Sequence, residues 1–79
     1  MKLTFDPKYN IGYISFRDKT AAVETLHISK DLNIDLAPDG TIYGIELLNA
    51  NQQLATNLSR KLIVENMSTG QSREIELPV

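Results

Sequence analysis

The feature that most constrains the fold of this chain is a tight turn, Ala37-Pro38-Asp39-Gly40, between two runs rich in apolar residues. Pro38 has a fixed φ, the Asp39 side chain can accept hydrogen bonds from nearby backbone amides, and Gly40 is free to take a positive φ. The apolar residues before the turn lie at every second position, which is typical of a strand that buries one face. The pattern therefore predicts a β-hairpin centred on this turn.

The segment before the turn allows two interpretations. Its apolar residues share one parity between Val23 and Leu36: Leu26, Ile28, Leu32, Ile34 and Leu36. Lys30 interrupts this stripe, either by extending from the edge of one long strand or because the chain bends at Ser29-Lys30-Asp31. We favour the bend, which divides the segment into two shorter strands.

The segment after the turn, from Thr41 to Leu48, reads as a strand with apolar residues on both parities. Gly44 lies inside it, where glycine often marks a β-bulge or a close backbone approach. Asn49 can then cap a short helix, with Gln52 answering three residues later as in a capping box. Leu54 and Leu58 lie one helical turn apart, so one or two helical turns are expected here.

Short strands are also predicted at both ends of the chain. Leu3 and Phe5 alternate with polar residues until Asp6-Pro7 ends the pattern, and a second strand runs from Ile11 to Arg17. A C-terminal hairpin is expected from Leu62-Ile63-Val64, the turn Ser68-Thr69-Gly70 and the alternation Glu74-Ile75-Glu76-Leu77. The predicted fold class is mainly β with one short helix, an antiparallel meander or small roll built from hairpins.

We expect one domain over residues 1–79, with a core at 1–54 and a hairpin extension at 59–79. A chain of 79 residues hides only about 60% of its unfolded surface on folding, so a second surface would help to stabilise it. The absence of cysteine excludes disulfides and thiolate metal sites, and no signal-peptide core or membrane-length apolar run is visible. A cytoplasmic location without membrane attachment is therefore expected.

The charge pattern argues against nucleic acid as a partner. The formal net charge is −2, and the eight basic residues are scattered along the chain. Proteins that bind nucleic acid usually present their phosphate-neutralising charges as a patch or stripe. Binding to nucleic acid is therefore the least favoured of the function classes considered.

No residue pattern here is specific for catalysis, a cofactor or a metal. His27 is the single histidine, and its parity is opposite to that of Leu26 and Ile28, which predicts a solvent-facing side chain. Asp35, Asp39 and Glu46 flank the turn and could approach one another as a divalent-metal or small-ligand site. Turn chemistry explains Asp39, a polar strand face explains Asp35, and pairing with a base such as Lys30 explains Glu46. We therefore predict no catalytic, cofactor-binding or metal-binding residues and no enzymatic activity.

Three segments closely resemble a known family. They are Phe5-Asp6-Pro7, Ile11-Gly12-Tyr13-Ile14 and the long run Ile34-Asp35-Leu36-Ala37-Pro38-Asp39-Gly40-Thr41-Ile42-Tyr43-Gly44-Ile45-Glu46-Leu47-Leu48-Asn49-Ala50. They resemble the bacterial and archaeal family known as domain of unknown function 2283, over the stretch from about Leu3 to Leu54. The resemblance implies a small β domain, often taken to be an interaction module, with some members suspected of lying beside toxin-like proteins. It implies no catalytic residues.

The chain departs from the family pattern at Asn10 and Asn49, where an acidic residue is common, and in the tail after Leu58. The two amides remove negative charge, which argues against a cation site at these positions because hard cations prefer carboxylate oxygens. The family offers no counterpart for the tail.

The function expected from the sequence is a non-enzymatic protein–protein interaction module. It would act as a homo-oligomer, most simply a homodimer, or as the partner of another small protein, with an antitoxin-like role implied by the resemblance alone. Expected interface residues are Tyr13, Tyr43, Ile63 and Ile75. The alternative is a small-ligand or divalent-metal domain with its site near Asp35, Asp39 and Glu46.

Overall fold

A computed structural model of the protein describes residues 1–18, 22–55 and 60–79. Seven strands and one short helix lie in these ranges: β1 (Lys2–Asp6), β2 (Ile11–Ser15), β3 (Glu24–Ser29), β4 (Leu32–Leu36), β5 (Ile42–Leu48), α1 (Ala50–Leu54), β6 (Lys61–Glu65) and β7 (Ser72–Glu76). Every strand pairing is antiparallel. The predicted mainly-β class with one short helix is confirmed.

Five strands form one sheet in the order β1-β2-β5-β4-β3, and β6 pairs with β7 as a separate two-stranded ribbon. The sheet consists of a hairpin, β1-β2, and a three-stranded meander, β3-β4-β5. These two units join where β5 pairs with β2, so that Ile14 lies opposite Ile45 and Gly12 opposite Leu47. Neighbours in sequence thus form the hairpins, and one long-range pairing assembles the sheet.

Both turns of the meander lie where the sequence predicts them. The chain bends at Lys30 and Asp31, so β3 and β4 are two strands and the stripe does not continue through Lys30. At the second turn the Gly40 amide donates to the Ala37 carbonyl over 2.9 Å. Gly40 has a φ of 87°, a backbone conformation that glycine adopts without a steric penalty.

One face of the five-stranded sheet is apolar. Leu3 lies opposite Ile14, Ile14 opposite Ile45, and Ile45 opposite Ile34, so these side chains form a row across four strands. The helix α1 packs against β2, and Ala50 is completely buried there. Of the described helices, none is long and apolar enough to span a membrane.

The N-terminus of α1 is capped by a residue distant in sequence. Asn49 has a left-handed backbone, with a φ of 54°, and its side chain bonds to Gln52 Oε1 over 2.8 Å without reaching a backbone amide. The Asn51 amide instead donates to Asn10 Oδ1 over 2.9 Å. The predicted short helix is confirmed, but the predicted capping box is wrong, because capping requires an extended Asn49 backbone. Leu58 lies outside the described residues.

The C-terminal hairpin is also confirmed, with its turn closed by a Gly70 amide that donates to the Asn66 carbonyl over 2.8 Å. Every residue of β6 and β7 is exposed, because the ribbon packs only lightly against the larger sheet. The radius of gyration is 14.1 Å, compared with about 11.6 Å expected for a compact chain of this length. The ribbon therefore makes the protein more extended than a compact monomer.

Candidate functional site

The face of the sheet opposite the apolar row is polar and hydrogen-bonded. Two rows of residues lie side by side on it. Thr25, Asp35, Gly44 and Ser15 form one row, and His27, Asn33, Glu46 and Tyr13 form the other. Each row places one residue on each of β3, β4, β5 and β2. This polar face brings together two of the three carboxylates that the sequence indicates as candidates.

Asp35 is the buried polar residue of this face, with 8% of its surface exposed. Tyr13 Oη donates to Asp35 Oδ2 over 2.7 Å, and Thr25 Oγ1 donates to Asp35 Oδ1 over 2.7 Å. Each carboxylate oxygen thus accepts a hydrogen bond from another strand, the adjacent β3 for Thr25 and the more distant β2 for Tyr13, as a buried polar group requires. The carboxylate connects β2, β3 and β4.

Gly44 allows the Tyr13 side chain to reach Asp35. A Cβ atom at Gly44 would overlap the Tyr13 ring, so this ring crosses β5 where no side chain stands. The register between β4 and β5 also shifts here. Asp35 lies opposite Gly44, but the next residue, Leu36, lies opposite Ile42, so β5 contains one extra residue at this point. The sequence predicted a bulge or a close approach near Gly44, and the structure has both.

The second row forms its own chain of hydrogen bonds. Asn33 Nδ2 donates to Glu46 Oε1 over 2.9 Å, and Asn33 Oδ1 lies 2.7 Å from His27 Nδ1. His27 is exposed, as its parity predicts. The expected pairing of Glu46 with Lys30 is wrong, because the strand register places Asn33 opposite Glu46 while Lys30 lies in the turn.

Asp39 lies apart from these two carboxylates, in the turn. Its Oδ1 accepts hydrogen bonds from the Thr41 amide over 3.0 Å and the Thr41 hydroxyl over 2.7 Å. The Arg17 guanidinium lies 3.8 Å away. Hydrogen bonds from Thr41 chiefly, and the Arg17 charge to a smaller degree, lower the pKa of the Asp39 carboxyl below its ordinary value. Asp39 is explained by turn chemistry, as expected.

The lowered pKa of Asp39 predicts a pH effect on stability. A carboxylate whose folded pKa lies below its unfolded pKa stabilises the fold above the unfolded value and loses that contribution as the pH falls through the folded value. We therefore expect Asp39→Asn to reduce the unfolding midpoint slightly at about pH 7 and to differ less from the wild type at about pH 2. Urea unfolding of both proteins at the two pH values measures this, and an equal difference at both would contradict it.

The three candidate carboxylates do not form a metal centre. Asp35 and Glu46 share the polar face on adjacent strands, whereas Asp39 bonds to Thr41 in the turn. Within residues 1–18, 22–55 and 60–79, no group of three or more histidine, aspartate or glutamate side chains is placed to hold a metal ion. What the polar face does chemically is to cross-link four strands.

An apolar groove lies elsewhere, between the hairpin β1-β2, the end of α1 and the ribbon. Its volume is about 450 Å³. The residues that line it are almost all apolar: Met1, Leu3, Ile14, Phe16, Leu54, Leu62, Ile75, Glu76, Leu77 and Pro78. The sequence indicated only Ile75 among them, because a groove between two sheets depends on how the sheets pack.

The four expected interface residues fall into two groups. Ile63 and Ile75 are 59% and 51% exposed on the ribbon. Tyr43 is 4% exposed, with the Arg17 guanidinium 4.7 Å from its ring centroid, and Tyr13 is half-buried against Asp35. The two isoleucines are therefore accessible to a partner, whereas the two tyrosines are used within the sheet.

Comparison with known proteins identifies the five-stranded part of the chain. A family model described as "Protein of unknown function (DUF2283)" matches residues 2–51, which contain β1 to β5 and the start of α1. The ribbon lies beyond the matched residues. No curated protein and no solved structure matches the chain.

Proposed function

The chain belongs to the DUF2283 family, since more than half of its residues match the family model, and from that premise we propose that it is a non-enzymatic interaction module that works as a homodimer. The five-stranded sheet supplies a rigid platform. The C-terminal ribbon and the groove beside it supply the contact surface.

The observation that carries this proposal is the excess of exposed surface. The accessible surface of the chain is 6036 Å², whereas a compact monomeric protein of 8.9 kDa exposes about 4,800 Å². The excess, about 1,200 Å², is larger than the roughly 800 Å² that each partner buries in a standard interface. The chain thus exposes as much additional surface as a stable complex would cover.

The composition of that surface also favours a protein partner. Leu62, Ile63, Val64 and Ile75 are all large apolar residues exposed on the ribbon, and Phe16 is exposed at the groove. Leu62, Val64 and Ile75 share one face of the ribbon, and contiguous apolar patches on soluble proteins usually mark interaction sites. A second protein chain would remove these side chains from water.

The hydrogen bonds of the polar face support a structural role for its carboxylate. Both oxygens of Asp35 accept hydrogen bonds, one from Tyr13 on β2 and one from Thr25 on β3. A general base must instead have an oxygen within reach of a substrate proton. The arrangement of Asp35 therefore fits a cross-link within the sheet better than acid–base catalysis.

Size-exclusion chromatography with light scattering tests the proposed function. We expect a mass of about twice 8.9 kDa at micromolar concentrations. A mass of one chain at every concentration up to about 100 µM would overturn the homodimer. In that case the exposed surface would have to serve a different small protein.

A further inference from the structure

The two-stranded ribbon β6-β7 would gain stability from additional strands. An isolated two-stranded hairpin is at best marginally stable in water, and it becomes stable with a third strand and an apolar face or by packing against a helix. Within the ranges that the structure describes, β6 and β7 pair only with each other. Each therefore has one free edge, and such an edge is a template for another strand.

The alternation of hydrogen bonds shows which groups point to the free edge of β6. The Leu77 amide donates to the Arg60 carbonyl and the Asn66 amide to the Gln71 carbonyl, so even-numbered residues of β6 exchange bonds with β7. The backbone amides and carbonyls of Lys61, Ile63 and Glu65 therefore point away from β7. No described group bonds to them.

The order of charged and apolar residues along β6 is complementary to that of a second, antiparallel copy of the same strand. Lys61 begins the strand, Glu65 ends it, and Leu62-Ile63-Val64 lies between. With a two-fold axis at Ile63, each Lys61 faces Glu65 of the second copy and each Leu62 faces Val64 of the second copy. Opposite charges and apolar pairs in facing positions both stabilise antiparallel strands.

We propose that two copies of this chain join edge to edge through β6, antiparallel and centred on Ile63, to form a continuous four-stranded sheet β7-β6-β6-β7. This inference rests on the proposed homodimer and specifies its interface. The outward amides and carbonyls of Lys61, Ile63 and Glu65 form about six hydrogen bonds between the copies. Leu62, Val64 and Ile75 of both copies then share one apolar face.

The other edges complement a second copy less well. The two-fold pairing of β7 about Glu74 sets this glutamate against its own copy, and like charges in facing positions are destabilising. The pairing of β1 about Thr4 would set Lys2 against Asp6, and Asp6 already bonds to the Lys8 amide just as Lys61 already pairs with Glu74 of its own ribbon over 3.2 Å, so charge does not separate these two edges. What separates them is that β1 already belongs to a five-stranded sheet, whereas β6 belongs to a two-stranded ribbon.

Cysteine cross-linking tests the position of the two-fold axis, because the natural chain has no cysteine. In the proposed dimer the two Cα atoms at position 63 lie about 5.5 Å apart, within the range that a disulfide spans. We expect Ile63→Cys to form a covalent dimer upon mild oxidation of the full chain, measured by non-reducing electrophoresis. The matched control, Thr4→Cys at the centre of β1, should stay uncrosslinked.

A charge reversal tests the register independently. Glu65 lies opposite the uncharged Ser72 within its own ribbon and forms no ion pair with another described residue, so Glu65→Lys breaks none of these pairs but sets a lysine against Lys61 of the second copy. We expect the dissociation constant of the dimer, measured by sedimentation, to rise about tenfold. Met67→Lys places a cation at the tip of the ribbon, outside the paired strand, and should leave the constant within about twofold.

The outcomes separate this interface from the proposed function. A dimer in light scattering that cross-links through Thr4→Cys, or through neither cysteine, would overturn pairing through β6 and leave the homodimer standing. An unchanged dissociation constant in Glu65→Lys would overturn the register centred on Ile63. A monomer at all concentrations would overturn both proposals.

Discussion

Replacement of Gly44 by alanine should lower the free energy of unfolding by about 2–4 kcal/mol, the largest effect that we expect from a single methyl group in this protein. In most strand interiors the same change is favourable, since glycine lacks a side chain to pack. Here the added Cβ would overlap the Tyr13 ring. The ring must then leave β5, and its hydrogen bond to Asp35 is lost.

A double-mutant cycle with Tyr13→Ala isolates this cause. If the overlap with the Tyr13 ring is responsible, Gly44→Ala should cost less than about 0.5 kcal/mol once the ring has been removed. Urea unfolding at one fixed protein concentration measures all four proteins, because self-association would make the midpoint depend on concentration. Equal costs in both backgrounds would show that Gly44 matters for another reason.

Replacement of Asp35 by alanine should cost about 2–4 kcal/mol, because the hydroxyls of Tyr13 and Thr25 lose their shared acceptor in a part-buried site. Asn is the matched control. Asp35→Asn keeps one oxygen and a second polar atom in place, so it should cost less than half as much. Thermal unfolding measures both variants.

The result of Asp35→Ala also bears on function. A loss below about 0.5 kcal/mol, the usual range for surface substitutions, would contradict the structural role that we assign to the carboxylate. A loss of the expected size, with the mass in solution unchanged from that of the wild type, would show that Asp35 stabilises the sheet and is not needed for the proposed contact.

The sequence predicted local features well. Pro38 has a fixed φ and Gly40 can take a positive φ. Both properties belong to the residue itself, so the turn could be identified without knowledge of any partner strand. The alternation around Ile34 and around Ile75 likewise records which residues share a strand face. The fold class, the bend at Lys30 and both hairpins follow from such short-range information.

Predictions that required a partner in space were less accurate. The helix after Asn49 exists, but Asn10 caps it, from a loop distant in the chain. Glu46 bonds to Asn33, where Lys30 was expected. Asn49 and Glu46 were both correctly expected to form side-chain hydrogen bonds or ion pairs. The partners in these interactions depended on which strands lie side by side.

The sequence by itself thus determined the positions of the turns and strands, because φ preferences and period-two alternation act within a few residues. Only the tertiary structure decided that β2 lies beside β5, which sets Tyr13 across Gly44 and onto Asp35 and leaves the ribbon exposed. Which strands pair depends on the free energy of the whole sheet, and the residues of a short segment do not determine that free energy.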